Sequence, residues 1–249
     1  MLSTRNDGIA SRFDARASEY DRHAGLQRAV AGRLAEYLPC DGVTSVLEIG
    51  CGTGLLTRHL LERYPGARFT ITDIAPGMVS RCRQALEPVN EANIRFRVMD
   101  GEQPDISETF DLVALSMTAQ WFREPAHALS GLVQLLAPGG SVHYATLAPG
   151  GFPQWRESLA GLGLADGFID MPDLPGVRRI ETQEIDYGNA HGFLAALKAI
   201  GATQPRPGYA PLSPGSLRRA IRHMQAVHGG RVTWRIAYGQ IEADCSKVV

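Results

Sequence analysis

With 249 residues, 44% of them hydrophobic and 20% charged, the chain is long and apolar enough for a sizeable core, which excludes a largely disordered protein. A formal charge of −1, from 25 basic and 26 acidic side chains, argues against a general grip on nucleic acid, which needs clustered lysine and arginine. The polar N-terminus has no apolar signal region, and no run approaches the roughly 20 apolar residues of a membrane span. A cytoplasmic chain with neither a nucleic-acid nor a membrane partner is expected. Cys40, Cys51, Cys82 and Cys245 form no C-x-x-C pair, and they share no metal-ligand spacing with the histidines. Reduced thiols and no metal site follow.

Phe13 and Tyr20 close the two ends of FDARASEY and fall on one face of a helix. Leu26, Val30, Leu34, Tyr37 and Leu38 step by fours and threes along a second helix that Pro39 ends. These residues, 1–40, form either a helical layer on the sheet edge or a lid with Tyr20 pointing inward. Strands are then predicted at Val43–Ile49, Arg68–Asp73, Ile94–Met99, Phe110–Ser116 and Ser141–Leu147. Helices between them cover Leu55–Tyr64, Pro76–Leu86 and Pro125–Leu136, the last closed by Pro138-Gly139-Gly140. Such alternation predicts an α/β fold with a parallel sheet covered on both faces.

After Leu147 the rhythm breaks. Residues 148–176 are rich in Gly and Pro and read as an insertion. Val177–Tyr187 is a predicted strand, Ala190–Ile200 a helix, and Ser216–Gln225 another, capped by Ser213 or Ser216. Val232, Trp234, Ile236 and Tyr238 alternate with smaller or polar residues in a terminal strand. The whole is read as one domain: helices in 1–40, a core in 43–147, an insertion in 148–176 and completion of the sheet in 177–249.

Three features belong together: Glu48-x-Gly50-x-Gly52-x-Gly54 at the first strand-to-helix turn, Asp73 closing the second strand, and Asp100 just past the third. In an open parallel sheet, ligands sit beyond the carboxyl ends of the strands where strand order reverses, and all three features open there. A carboxylate ending strand two can accept charge-assisted bonds from both ribose hydroxyls. A dinucleotide fingerprint begun at Gly50 requires glycine where Leu55 stands, and the G-x-x-x-x-G-K-[ST] phosphate loop is absent.

The E-x-G-x-G-x-G pattern instead resembles motif I of the class I S-adenosylmethionine-dependent methyltransferases, over about residues 44–147. That resemblance implies a Rossmann-like, mostly parallel seven-stranded sheet and S-adenosylmethionine as cofactor, with S-adenosylhomocysteine as product. It puts Glu48, Gly50, Gly52 and Gly54 at the amino-acid part of the cofactor and Asp73 at its ribose. Asp100, beside Gly101, meets the adenine amino group, Ile74 and Met78 flank the ring, and Ser116 joins this set from strand four.

Phe13…Ala17…Tyr20-Asp21…His23…Leu26-Gln27, Ser116-Met-Thr-Ala-Gln120-Trp121 and Leu197-Lys198-Ala199-Ile200-Gly201-Ala202 occur in that order. Together they resemble the malonyl-acyl-carrier-protein O-methyltransferases of biotin synthesis. The resemblance implies methyl transfer to the free carboxylate of a malonyl thioester, with acyl carrier protein as partner, or coenzyme A in its place. An arginine fork is the natural donor to that carboxylate, so Tyr20 and Arg156 are the candidate acceptor-positioning residues, with Arg178 and Arg179 as alternatives. Arg218, Arg219, Arg222 and His223 are either a docking face for an acidic carrier or an ordinary polar helix face. Trp121 is either core or entrance, and Cys51 a packing residue. Other readings keep the cofactor but change the acceptor to another small carboxylate or a hydroxyl, or make the chain a non-catalytic S-adenosylmethionine-binding module. A nicotinamide dehydrogenase is disfavoured by Leu55.

Overall fold

The computed structural model of the chain describes residues 25–87, 91–199, 206 and 208–243. The expectations on Phe13, Tyr20, His23, Ile200–Ala202 and Cys245 lie outside the described residues. Helix α1 (Gly25–Glu36) buries Leu26, Val30 and Leu34 as its spacing predicts, with Gln27 and Ala31 beside them, and ends before Tyr37 and Leu38 rather than at Pro39. Its exit is tied down from α2 (Leu55–Arg63) and the residue after it. Arg63 Nε and Nη2 donate to the Pro39 and Leu38 carbonyls at 3.0 and 2.9 Å, and the Tyr64 hydroxyl donates to Pro39 O at 2.6 Å.

Strands β1 (Ser45–Ile49), β2 (Arg68–Asp73), β3 (Ile94–Val98), β4 (Phe110–Ser116) and β5 (Leu136–Leu147) alternate with α2, α3 (Pro76–Ala85) and α4 (Pro125–Gly131). All five residues of β1 are buried, as expected for a strand covered on both faces. With β6 (Val177–Asp186) and β7 (Arg231–Glu242) the sheet is seven-stranded, in the order β3-β2-β1-β4-β5-β7-β6. The pairs β1–β2, β2–β3, β1–β4 and β4–β5 are parallel. This is the Rossmann-like architecture, and strand order reverses between β1 and β4. The start of β1 is pinned to β4 by Asp111, whose Oδ2 accepts from Thr44 N and Oγ1 at 2.8 Å and from Ser45 N and Oγ at 3.0 Å.

One difference from the sequence reading concerns residues 125–147. The α-helix stops at Gly131, a 3-10 turn covers Leu132–Leu135, and β5 begins at Leu136 rather than Ser141. Leu136 pairs with Phe110 across a register shift before regular pairing resumes at Leu112–Ser141. Pro138-Gly139-Gly140 is therefore an irregularity inside a strand. A Cβ on Gly140 would lie 2.7 Å from the Phe110 carbonyl, so glycine is what lets the bulge close.

Contacts gather the chain into two units, one from 1–146, 172–179 and 237–249, the other from 147–171 and 180–236. The first is built on a core in which Leu47, Ile49, Val113, Leu115, Val142 and Tyr144 meet Leu129 and Leu132. Its edge strand β3 carries the ion pairs Arg95–Glu108 and Arg97–Asp105, charges that discourage pairing with another chain.

The second unit contains α5 (Pro153–Ala160), α6 (Ala190–Ala199) and α7 (Pro214–His228). Phe152, Phe193 and Trp234 pack with ring centroids 4.6 and 5.6 Å from Phe152. Gln154 exchanges two hydrogen bonds with Thr233. Helix α7 opens on Ser213, whose hydroxyl accepts from Ser216 N at 3.1 Å, and it buries Ala220, Ile221 and Met224. Arg218, Arg219 and Arg222 are exposed on it.

Candidate functional site

Three glycines make the turn at the end of β1. Gly50, Gly52 and Gly54 have φ of 76°, 53° and 87°, the left-handed region that glycine enters without a Cβ penalty. Gly50 N and Cys51 N both donate to Thr72 O, at 2.8 and 2.9 Å, which carries the β1–β2 pairing one step past the strand. A Cβ on Gly50 would meet Thr118 Oγ1 at 2.3 Å, so the turn after β4 lies directly against this one.

Asp73 couples the glycine turn to the next helix. Its Oδ2 accepts from Gly52 N at 2.9 Å and its Oδ1 from Ala75 N at 2.9 Å, one residue before α3 begins at Pro76. These two bonds orient a buried carboxylate that has about four acceptor positions in all.

Glu48 is 1% exposed and accepts a hydrogen bond from Thr57 Oγ1 at 2.7 Å. Burial pushes its carboxyl well above the usual carboxylate range, and the nearby Cys82 and Asp73 push in the same direction. Asp100 Oδ1 accepts from Glu102 N at 2.9 Å, and Glu102 Oε1 accepts from Glu124 N at 2.8 Å. Gly101 is required by space: a Cβ there would lie 2.2 Å from Ile49 Cγ2.

Glu48, Gly50, Gly52, Asp73, Ile74, Met78, Asp100, Gly101 and Ser116 all line a single cleft. Gly54, the tenth motif position, is not in that lining. It sits behind it as the left-handed residue that starts α2, where a Cβ would approach Cys82 Sγ at 3.2 Å. Trp121 lines the cleft, with Met117, Thr118 and Phe122 from the same turn.

Gln27 of α1 also contributes to the lining, as do Thr53, Leu56 and Met99. Of these, Gln27 had a sequence signal, as a polar residue beside the apolar stripe of α1. Cys51 is buried, and its thiol is pushed up by its contact with Cys82 and by burial, which makes it a packing group rather than a nucleophile.

In the second unit, the Arg156 guanidinium forms an ordered fork. Nη1 meets Asp166 Oδ2 at 3.0 Å, Nη2 meets Asp170 Oδ1 at 2.8 Å, and Nε donates to Gly151 O at 3.0 Å. Arg179 lies over the Tyr37 ring at 5.3 Å, and the exposed Arg178 approaches Glu242 at 3.8 Å. Among the described residues, no helix is long and apolar enough to cross a membrane.

Residues 46–140 match a family described as a methyltransferase domain. The malonyl-[acyl-carrier protein] O-methyltransferase of Magnetococcus marinus is 38% identical over 250 residues, covering 94% of this chain and 92% of that protein. The biotin biosynthesis bifunctional protein BioCD of Bordetella avium is 38% identical over 93% of this chain, which spans 51% of that longer protein. Among solved structures, the YcgJ protein of Bacillus subtilis superposes with a TM-score of 0.59 over 86% of this chain and 97% of its own, at 13% identity. That last likeness is one of fold.

Proposed function

The chain belongs to the malonyl-[acyl-carrier protein] O-methyltransferase family, and we propose that it methylates the free carboxylate of a malonyl thioester held by acyl carrier protein, early in biotin synthesis. The observation that carries this reading is the convergence on one cleft of the glycine turn, Asp73, Asp100 and Gly101. The residues fit S-adenosylmethionine. Gly52, left-handed and with open space where a Cβ would stand, lets backbone approach a ligand closely, and the buried Asp73 carboxylate is aimed by two backbone amides.

Gly50 and Gly52, backed by Glu48, hold the amino-acid portion, and Asp73 holds the ribose hydroxyls. Asp100 and Gly101 take the adenine edge, Ile74 and Met78 its apolar faces, and Ser116 completes the lining from β4. When bound, S-adenosylmethionine supplies an electrophilic methyl on a sulfonium.

The chain's own contribution is alignment. A malonyl carboxylate with a pKa of about 4 or below is ionised at neutral pH, so it is a nucleophile without help from a base. The four carboxylates of the cleft are occupied in holding its walls: Glu48 by Thr57, Asp73 by Gly52 and Ala75, Asp100 by Glu102, and Glu102 by Glu124. Fixing the reacting groups in line and excluding water can supply ~7–11 kcal/mol of the barrier.

Tyr20 and Arg156 are the proposed partners of the acceptor carboxylate, whose burial would otherwise cost several kcal/mol. Arg156 holds the Asp166 and Asp170 carboxylates as a fork, the geometry by which an arginine recognises a carboxylate. The cytoplasm is the proposed compartment.

Labelled S-adenosylmethionine offered with malonyl-acyl carrier protein, malonyl-coenzyme A and free malonate tests the reading. Labelled methyl ester on the carrier thioester, with little on free malonate, is the expected result. Binding of S-adenosylhomocysteine without transfer to any malonyl species would overturn it, and would favour a binding module.

A further inference from the structure

Gln120 is not part of the cleft lining, yet its amide joins two elements that are. It sits in the 3-10 turn Ala119–Trp121 that follows β4. Its Nε2 donates to the Met117 carbonyl at 2.7 Å, and its Oε1 accepts from Thr146 Oγ1 at 2.7 Å. Thr146 is wholly buried on β5, so the lower end of this bridge is anchored in the sheet.

The upper end is strained. Met117 has φ of 53°, one of two non-glycine residues in the left-handed region among those described, and a residue with a Cβ stays there only when its surroundings force it. Two bonds do so: Met117 N donates to Ala145 O at 2.7 Å, and Gln120 takes the Met117 carbonyl. The next residue, Thr118, has its hydroxyl 3.1 Å from Ser116 O and 3.4 Å from Gly50 O, and its side chain fills the place a Cβ on Gly50 would need. Release of Met117 would therefore move the wall that abuts the glycine turn.

We propose that Gln120 is a positioning residue for methyl transfer: it clamps the strained Met117 carbonyl to β5 and so holds the Ser116–Trp121 turn against the glycine turn of β1. The inference rests on the methyltransferase reading above. Sheet order puts β4 beside β1 on the side away from β2 and β3, so this turn walls the cleft opposite Asp73 and Asp100. The clamp thus acts on the reacting end of the cleft and not on the nucleoside anchor. Only glutamine serves at this position. Glutamate lacks the donor for Met117 O, asparagine is too short to span both partners, and methionine has neither polar group.

The test uses the full chain, with turnover on malonyl-acyl carrier protein, calorimetric binding of S-adenosylhomocysteine, and hydrogen exchange of residues 116–122. Gln120→Met should lower kcat by about five- to tenfold, the rate equivalent of one or two neutral hydrogen bonds. S-adenosylhomocysteine affinity should stay within about twofold, since the anchor at Asp73 is untouched. Exchange of the turn amides should rise. In a Met117→Gly background the same Gln120→Met change should cost less than about twofold, because glycine holds a left-handed φ without a clamp.

A role in general stability alone would instead give equal costs in both backgrounds, or a fall in affinity that matches the fall in kcat. Either result overturns the proposal, as does unchanged kcat with unchanged exchange. If Gln120→Met does not fold, Thr146→Val removes the lower anchor and is read by the same comparison. A parent chain that transfers no methyl overturns the reaction reading and this role with it, while exchange still reports whether the clamp exists.

Discussion

Replacing Asp73 by asparagine separates the claim that this carboxylate organises the cleft from the claim that it merely caps a helix. The two side chains have the same shape, but the carboxylate accepts at both oxygens, from Gly52 N and from Ala75 N, each at 2.9 Å. In Asp73→Asn one of those positions becomes an NH2 group facing a backbone N–H. One donor is left unmet in a site where Asp73 is only 8% exposed, which costs ~1–3 kcal/mol. At roughly 2–4 °C of melting temperature per kcal/mol for a chain of this size, the variant should melt ~2–12 °C lower.

Cofactor binding loses a further charge-assisted bond, about 1.5–3 kcal/mol, which raises the dissociation constant ~10- to 150-fold. Titration calorimetry with S-adenosylhomocysteine, performed well below the melting temperature, reads the second effect apart from the first. A helix cap alone would change the melting temperature and leave affinity alone. If the variant binds within about twofold of the parent, the assignment of Asp73 to the ribose is wrong.

Gly101→Ala places a Cβ 2.2 Å from Cγ2 of Ile49, a buried and β-branched residue that cannot swing aside, and 3.3 Å from the Phe122 ring. Overpacking of ~1–3 kcal/mol should appear as a lower melting temperature together with weaker S-adenosylhomocysteine binding, and parental values for both would refute the close approach. His143, 3% exposed on β5, is pushed down to about 4 by burial, from an ordinary value of 6.5. A buried neutral imidazole adds stability that is complete above about pH 6.5 and is lost as pH falls toward about 4, of the order of 3 kcal/mol. Urea denaturation at pH 7, 5.5 and 4 should show that loss in the parent and a flatter profile in His143→Gln, and parallel profiles would count against it.

The parts of this fold that were legible from sequence are those where one local force dominates. Strands β2 and β4 have the predicted limits: Arg68 and Asp73 bracket Phe69–Thr72 in one, and the apolar Leu112–Leu115 runs out at Ser116 in the other. The glycine turn was legible because its backbone needs φ values that glycine supplies. Residues 132–140 were not legible, since Pro138-Gly139-Gly140 signals a turn by itself and is carried inside a strand only because Leu136 pairs with Phe110 before it and Ser141 with Leu112 after it. Met117 was equally hidden. Nothing about methionine favours a left-handed φ, which exists here because Ala145 and Gln120 hold the peptide on both sides.

Those hidden residues bear on the chemistry. A reaction that begins with an ionised nucleophile and a methyl sulfonium gains little from general-base catalysis, because no proton has to move before the bond forms. What limits the rate is how often the two reactants lie in line with water excluded, and that depends on the stiffness of the walls. The carboxylates of the cleft serve that stiffness: Asp73 spans the β1 turn and the start of α3, and Glu102 reaches the backbone just before α4. The β4 side has no carboxylate of this kind among its lining residues, and there the bracing falls to the neutral amide of Gln120, between a strained peptide and a buried threonine. A neutral brace suits that wall. A fixed anion beside the reacting end would repel the incoming malonyl carboxylate by about 4 kcal/mol at 4 Å in a surface-like dielectric, whereas an amide holds the same geometry with no such opposition.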